Sequence, residues 1–356
     1  MKNRISDRAR DVPPSGIRKF FELVIGVEAV ISLGVGEPDF VTPWHIREAC
    51  IYSLEKGYTM YTSNYGLLEL REEVAKRLER EYSLGYDPKD EILVTVGVSE
   101  GVDLAIRALI NPGDEVFVHE PSYVSYKPCT LFAGGKPVVV ETNVEDEFKV
   151  LPETIEEKIT DKTKALILSY PNNPTGAIMT KKELEGIADV VNEHDLIVIS
   201  DEVYDKLTYD GKHCSFASLK GMQERTVLLN GLSKAYAMTG WRIGYAACSS
   251  AIIEAMMKIH QYSMLCAPIT GQMAAMEALR NGGREVMGMR KQYNERRKLI
   301  IKRFNEMGLT CFESKGAFYA FPSIKATGLS SEEFAEELLK KEKVAVVPGN
   351  VFGDSG

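Results

Sequence analysis

Lys234 stands in a stretch of small and apolar residues, Gly231-Leu232-Ser233-Lys234-Ala235-Tyr236-Ala237-Met238, that directly follows the apolar run TVLLN. An ammonium in such surroundings is costly to bury unless it gives up its proton or is used covalently. Schiff-base formation with a carbonyl compound is the economical use. Further along, Arg242 offers a planar fork suited to a phosphate dianion, and Gly240 and Gly244 on either side allow close backbone approach. A carboxylate, Asp201, ends the run LIVIS, a strand end where burial leaves it ionised only beside a positive charge. As an ordinary helix N-cap, Asp201 would need no such partner.

Two turns complete the chemistry-bearing set. Gly97-Val98-Ser99-Glu100-Gly101 joins ILVTV to the helical stretch VDLAIRALI, and unpaired N–H groups at such a helix start form an anion cradle to which Ser99 can add a hydroxyl. The same five residues match the G-x-S-x-G elbow of serine hydrolases. That alternative needs a downstream acid and histidine, for which His213 and His260 are the candidates, and an oxyanion loop, yet no HGGG-like stretch occurs. The second turn, Tyr170 to Gly176 (YPNNPTG), follows ALILS and can donate amide hydrogen bonds into the same crevice.

These residues have to be positioned by strand ends, because open α/β sheets bind ligands beyond the carboxyl ends of their strands. Seven short apolar runs supply them: ILVTV (92–96), EVFVH (115–119), PVVVE (137–141), ALILS (165–169), LIVIS (196–200), TVLLN (226–230) and IGYAA (243–247). Runs apolar at nearly every position suit strands covered on both faces, so the pattern predicts an α/β fold with a mostly parallel, seven-stranded sheet. LPETIEEKI and KKELEGIADVVNEH carry helical spacing between strands. From about residue 284 the texture shifts to a charged amphipathic helix, then AFYAFPS, a second helix SSEEFAEELLKKE, and VAVVPG, which reads as a smaller α+β domain. The basic cluster Lys291, Arg296, Arg297 and Lys298 on the first of these helices reads as a solvated face.

The chain has 356 residues, 44% hydrophobic, with 43 Lys plus Arg against 51 Asp plus Glu and a formal charge of -8. An acidic balance without a basic block argues against nucleic acid and anionic membrane as partners. The six cysteines are scattered and form no C-x-x-C pair, which predicts neither a disulfide framework nor a sequence-local metal site and suits a reducing, cytoplasmic setting. The N-terminal stretch has no signal-peptide core.

The strand-end residues ask for a single ligand with a ring nitrogen for Asp201, an aldehyde for Lys234, and a phosphate for Arg242 and the Gly97 turn; pyridoxal 5'-phosphate has all three. In this the sequence resembles the class I/II aminotransferases of the fold-type I pyridoxal-phosphate enzymes, near the bacterial and archaeal aspartate and aromatic enzymes. The matching pieces run in family order along nearly the whole chain: GVGEPDF (34–40), Tyr61 to Gly66 with Arg71, the Gly97 turn, PSYVSY, NNPTG, SDEVY and GLSKAYAMTGWRIG.

The resemblance implies a large cofactor-binding domain over 41–264 and a small domain formed by 265–356 with the 1–40 segment. It implies that Lys234 forms the Schiff base and shuttles the proton, that Asp201 pairs with the ring nitrogen, and that Asn173 and Tyr204 donate to the phenolate oxygen. Tyr123 would stack on the ring, and Gly97, Val98 and Ser99 would hold the phosphate with Arg242 as counter-charge. Gly36 and Asn173 would face the substrate, with Ser15-Gly16-Ile17 on a segment closing over it. Tyr61 matches a tyrosine that reaches the phosphate of the other subunit, which implies a homodimer with shared sites. The implied reaction is ping-pong transfer from an L-amino acid (aspartate, alanine or aromatic) to a 2-oxo acid, with 2-oxoglutarate as the expected acceptor. A C–S β-lyase or related synthase on the same fold is the alternative. Gly231 brings no phosphate hydroxyl three residues before the lysine, and Ser233 is the candidate substitute. The family's carboxylate-clamping arginine falls beyond VVPGNVFGDSG, so the expectation is either a missing C-terminal piece or a truncated form with a weakened substrate site.

Overall fold

The seven apolar runs become the seven strands of one sheet, and a second sheet is made by two very short strands. In chain order the strands are β1 (Ile31–Ser32), β2 (Ile92–Thr95), β3 (Glu115–Glu120), β4 (Lys136–Glu141), β5 (Thr163–Ser169), β6 (Ile197–Asp201), β7 (Thr226–Gly231), β8 (Gly244–Ala247) and β9 (Val344–Ala345). This computed structural model describes residues 4–14, 16–17, 29–34 and 36–354, so Ser15 and Val35 lie outside the described residues. The large sheet has the order β2-β8-β7-β6-β5-β3-β4, with β8 antiparallel to both its neighbours and the other pairs parallel.

Both faces of this sheet are covered, which is why its strands are apolar at successive positions rather than alternate ones. Leu166, Leu168, Phe117 and Val198 pack on one face with the helix Lys181–Glu193, through Leu184, Ile187 and Val191. Ala165, Ile167, Ile199, Val227 and Leu229 pack on the other with the helices Gly97–Leu109 and Ser250–Ser263. The helix Lys181–Glu193 starts at a capping box between Thr180 and Glu183, and Ser331–Glu342 starts at one between Ser330 and Glu333. Each such cap contributes about 1 kcal/mol. LPETIEEKI forms only the short helix Pro152–Glu156.

β1 pairs in parallel with β9, matching Ile31 to Val344 and Ser32 to Ala345, so an N-terminal strand is stitched to the C-terminal part of the chain. The basic cluster on the helix Gly283–Glu306 is a solvated face at Lys291, Arg296 and Lys298, but Arg297 corrects that expectation. Its guanidinium is buried, donating to the Ser314 carbonyl at 2.5 Å and to Asp210 at 3.3 Å while lying over the Tyr209 ring. Helical spacing turned this one position of the four inward, where carbonyl and carboxylate partners offset the cost of burial.

Candidate active site

The carboxyl ends of β5, β6 and β7, adjacent strands, deliver Asn173, Asp201 and Lys234 to one edge of the sheet. Asp201 is the last residue of β6 and is buried, 6% exposed. Its carboxylate accepts from the Tyr126 hydroxyl at 2.8 Å and from the Val203 backbone N–H at 3.2 Å. Burial raises its pKa to about 6, against which those hydrogen bonds work. Among the described residues no cationic side chain bonds it: Lys234 acts on Asp201 only through its field. A phenol and an amide suffice as hydrogen-bond partners and leave room on the carboxylate for a further positive group.

Lys234 follows β7 in a turn and donates from Nζ to the Gly36 carbonyl at 2.5 Å. The ammonium lies 5.6 Å from the Phe318 ring centre and 5.8 Å from that of Tyr204. Burial lowers its pKa to about 8, partly opposed by Glu37 and Asp201 and reinforced by Arg242. Among the described residues no carboxylate forms an ion pair with it. Gly36 approaches closely because it lacks a side chain: a Cβ there would fall 2.2 Å from the Tyr319 hydroxyl.

Tyr204 is buried and shares a hydrogen bond with the Tyr319 hydroxyl, and burial pushes its phenol well above the ordinary value. Tyr123 meets Tyr126 edge-on, with ring centres 5.5 Å apart. Asn173 has an amide oxygen buried without a protein partner among the described residues.

The third component is the Gly97 turn. Gly97 has φ +75°, and a Cβ there would sit 2.3 Å from Arg242 Nη2, so only glycine lets the guanidinium lie against this peptide. Arg242 donates to the carbonyls of Thr239 at 3.0 Å and Val96 at 3.4 Å, with no carboxylate in ion-pair range among the described residues. Val98 and Ser99 follow in the first turn of the helix Gly97–Leu109, whose leading N–H groups lack intrahelical acceptors. Val98 packs against the cluster that holds Tyr204 and Ala237. Arg242 lines an open cleft with Glu37, Phe40, Thr42, Thr239 and Trp241.

Direct contacts thus join Lys234 to Gly36 and Tyr204, Asp201 to Tyr126, Tyr126 to Tyr123, and Arg242 to the Gly97 turn, at strand ends and turns on this edge of the sheet. Tyr61 does not join them within the chain: it is 82% exposed. The hydrolase alternative has no Ser–His pair, since His260 is hydrogen-bonded to Glu100 at 2.7 Å and His213 to Glu202 at 2.8 Å. Three aromatic residues without a role in the sequence reading are part of the site: Tyr126, Phe318 and Tyr319. Tyr319 is 115 positions from the Tyr204 it bonds, so no local spacing could signal it; the aromatic density of AFYAFPS was the available hint.

Pyridoxal 5'-phosphate fits this donor set. Arg242 and the glycine turn suit its phosphate, the lowered lysine its aldehyde, and the buried carboxylate its ring nitrogen.

The family profile described as aminotransferase class I and II matches residues 28–356. An aspartate aminotransferase of Pyrococcus abyssi is 50% identical over 355 residues, covering 99% of this chain and 91% of that protein. An aromatic-amino-acid aminotransferase of Thermococcus litoralis is 49% identical, with the same coverage, 99% and 91%. The crystal structure of an aromatic aminotransferase from Pyrococcus horikoshii superimposes with a TM-score of 0.91 at 50% identity, covering 96% of this chain and 91% of that one.

Proposed function

The chain belongs to the class I and II aminotransferases, and from that premise we propose which of its residues carry the exchange and which amino acids it takes. The enzyme depends on pyridoxal 5'-phosphate and moves an amino group between an amino acid and a 2-oxo acid by a ping-pong mechanism. When bound, that group supplies an aldehyde that condenses with amines and a ring that takes up the electron pair left at Cα.

Lys234 is the tethering amine and, once displaced by substrate, the base whose Nζ takes the Cα proton. Asp201 holds the positive ring nitrogen, and Tyr126 keeps the carboxylate aimed. Asn173 and Tyr204 bond the phenolate oxygen, with Tyr319 steering the Tyr204 hydroxyl. Tyr123 covers the ring face. Gly97, Val98, Ser99 and Arg242 bind the phosphate. Gly36 fixes the backbone beside Lys234 where substrate enters, and Asn173 faces the same space. The observation that carries this reading is a half-buried lysine bonded to a carbonyl instead of a carboxylate, with its pKa lowered to about 8.

We take acidic and aromatic amino acids as donors and 2-oxoglutarate as acceptor. The aspartate and aromatic-amino-acid aminotransferases among the relatives support this, and the Phe318, Tyr319 and Tyr204 rings offer an apolar wall. A half-reaction screen tests it. Holoenzyme mixed with aspartate, phenylalanine or tyrosine should lose its cofactor absorbance and release the matching 2-oxo acid, which 2-oxoglutarate then reverses. Release of pyruvate and a thiol from a sulfur amino acid, with no oxo acid from these donors, would favour the β-lyase.

A homodimer with shared sites belongs to the same reading. Exposed Trp44, Met60, Tyr61, Tyr262 and Met264 support it, and Tyr61 then approaches the phosphate of the second subunit. Sedimentation should give twice the chain mass, and Met60→Asp should halve it; a wild-type monomer at micromolar concentration refutes the dimer. The β1–β9 pairing supports grouping 1–40 with 265–356 as a small domain beside a large domain over 41–264. Six free cysteines support a reducing, cytoplasmic setting. Among the described residues no helix is long and apolar enough to cross a membrane.

A further inference from the structure

The helix Gly97–Leu109 has no side-chain cap of the usual kind at its start: Val96 occupies that position. Both polar groups of the Val96 residue are nevertheless committed. Its N–H donates to Glu100 Oε2 at 2.5 Å, and its carbonyl accepts from Arg242 Nη2 at 3.4 Å. The other oxygen of Glu100, Oε1, lies 2.7 Å from His260 Nδ1. His260 is fully buried on the helix Ser250–Ser263, 160 positions along the chain, and among the described residues its Nε2 has no partner. A continuous path of contacts therefore runs from His260 through Glu100 and Val96 to Arg242.

This arrangement addresses an electrostatic conflict. An anion at the Gly97 turn gains from the helix N-terminus and from Arg242, yet Glu100 places a carboxylate in that same first turn. Left free, it would repel the phosphate and compete for Arg242. Here both carboxylate oxygens are engaged behind the turn, one on a backbone N–H and one on the imidazole. The guanidinium is left for the ligand.

We propose that Glu100 and His260 are positioning residues for the phosphate site: they hold the Val96 peptide, and through it the Gly97 turn and Arg242, in the arrangement that binds the cofactor's phosphate. The inference rests on the reading of that turn as the phosphate site. Full-length Glu100→Ala, Glu100→Gln, His260→Gln and Arg242→Ala are titrated in parallel with pyridoxal 5'-phosphate and with pyridoxal, which lacks the phosphate. Occupancy is read from the borohydride-fixed adduct at Lys234 and from tryptophan fluorescence.

Glu100→Ala should weaken the phosphate ester about thirtyfold, the scale of a lost hydrogen bond to a charged group, and pyridoxal by less than about twofold. Glu100→Gln keeps an oxygen for the Val96 N–H and should retain most of the affinity. His260→Gln should fall between them. Equal losses for both ligands would mean a general structural role and overturn the proposal. So would no loss in any Glu100 or His260 variant while Arg242→Ala still loses selectivity for the phosphate ester. If Arg242→Ala also leaves that selectivity intact, the phosphate site itself is misassigned. Should Glu100→Ala fail to fold, the glutamine variants carry the comparison.

Discussion

A Lys234→Ala enzyme is expected to lose amino-group exchange by about ten-thousandfold or more, the upper range for removing a positioned acid–base group, and to take up no borohydride-fixed cofactor. The half-buried side chain lies between the Phe318 and Tyr204 rings, and desolvation lowers its pKa from 10.5 to about 8. At pH 7 an amine in that range is unprotonated in about a tenth of the molecules, against fewer than about one in a thousand for an exposed lysine. The pH dependence follows. Covalent capture of the cofactor needs the free amine at Nζ, so its rate in the wild-type enzyme should climb up to about pH 8 and then level off. A climb continuing past pH 10 would describe an ordinary exposed lysine. Peptide mapping of the reduced holoenzyme is the decisive measurement, and an adduct on any other lysine sinks the assignment.

Asp201→Asn should lower kcat about a thousandfold, equivalent to roughly 4 kcal/mol for removing one partner of a buried charge pair. Tyr126→Phe removes only one of the hydrogen bonds to Asp201 and should cost about tenfold. Stability should move differently from activity. In the protein without cofactor, burial raises the Asp201 pKa from 3.8 to about 6, so the folded state holds this proton where the unfolded chain has released it. The contribution of this group therefore falls as pH rises from about 4 to about 6, and stays low above that. Asparagine carries no such penalty, so the melting temperature of cofactor-free Asp201→Asn at pH 7.5 should equal or exceed that of wild type. A lower melting temperature together with the lost activity would mark Asp201 as a structural group.

Much of this was legible in the chain itself, for reasons that can be named. The seven strands follow from apolar runs long enough to be covered on two faces, and β2 to β8 fall on them within a residue or two at most bounds. Asp201 and Lys234 could be picked out because each closely follows such a run, where the fold class places ligands, whereas Asn173 came only with the family resemblance. Arg297 was misread because a charge cluster on a helix says nothing about the one position that helical spacing turns toward Tyr209 and Ser314. Phe318 and Tyr319 gave only the aromatic density of AFYAFPS, and His260 gave no sign of its bond to Glu100, since each acts on a partner far along the chain.

By its own pattern the sequence determined the α/β class, the strand ends and the reactive side chains on them, because burial periodicity and residue chemistry are local properties. Tertiary structure alone decided that Asp201 is held by a phenol and an amide, that Lys234 rests on the Gly36 carbonyl, and that Glu100 turns back onto Val96 and His260. Those partnerships depend on which distant segments the sheet order brings together, and desolvation, the largest cause of both pKa shifts, exists only once they are packed.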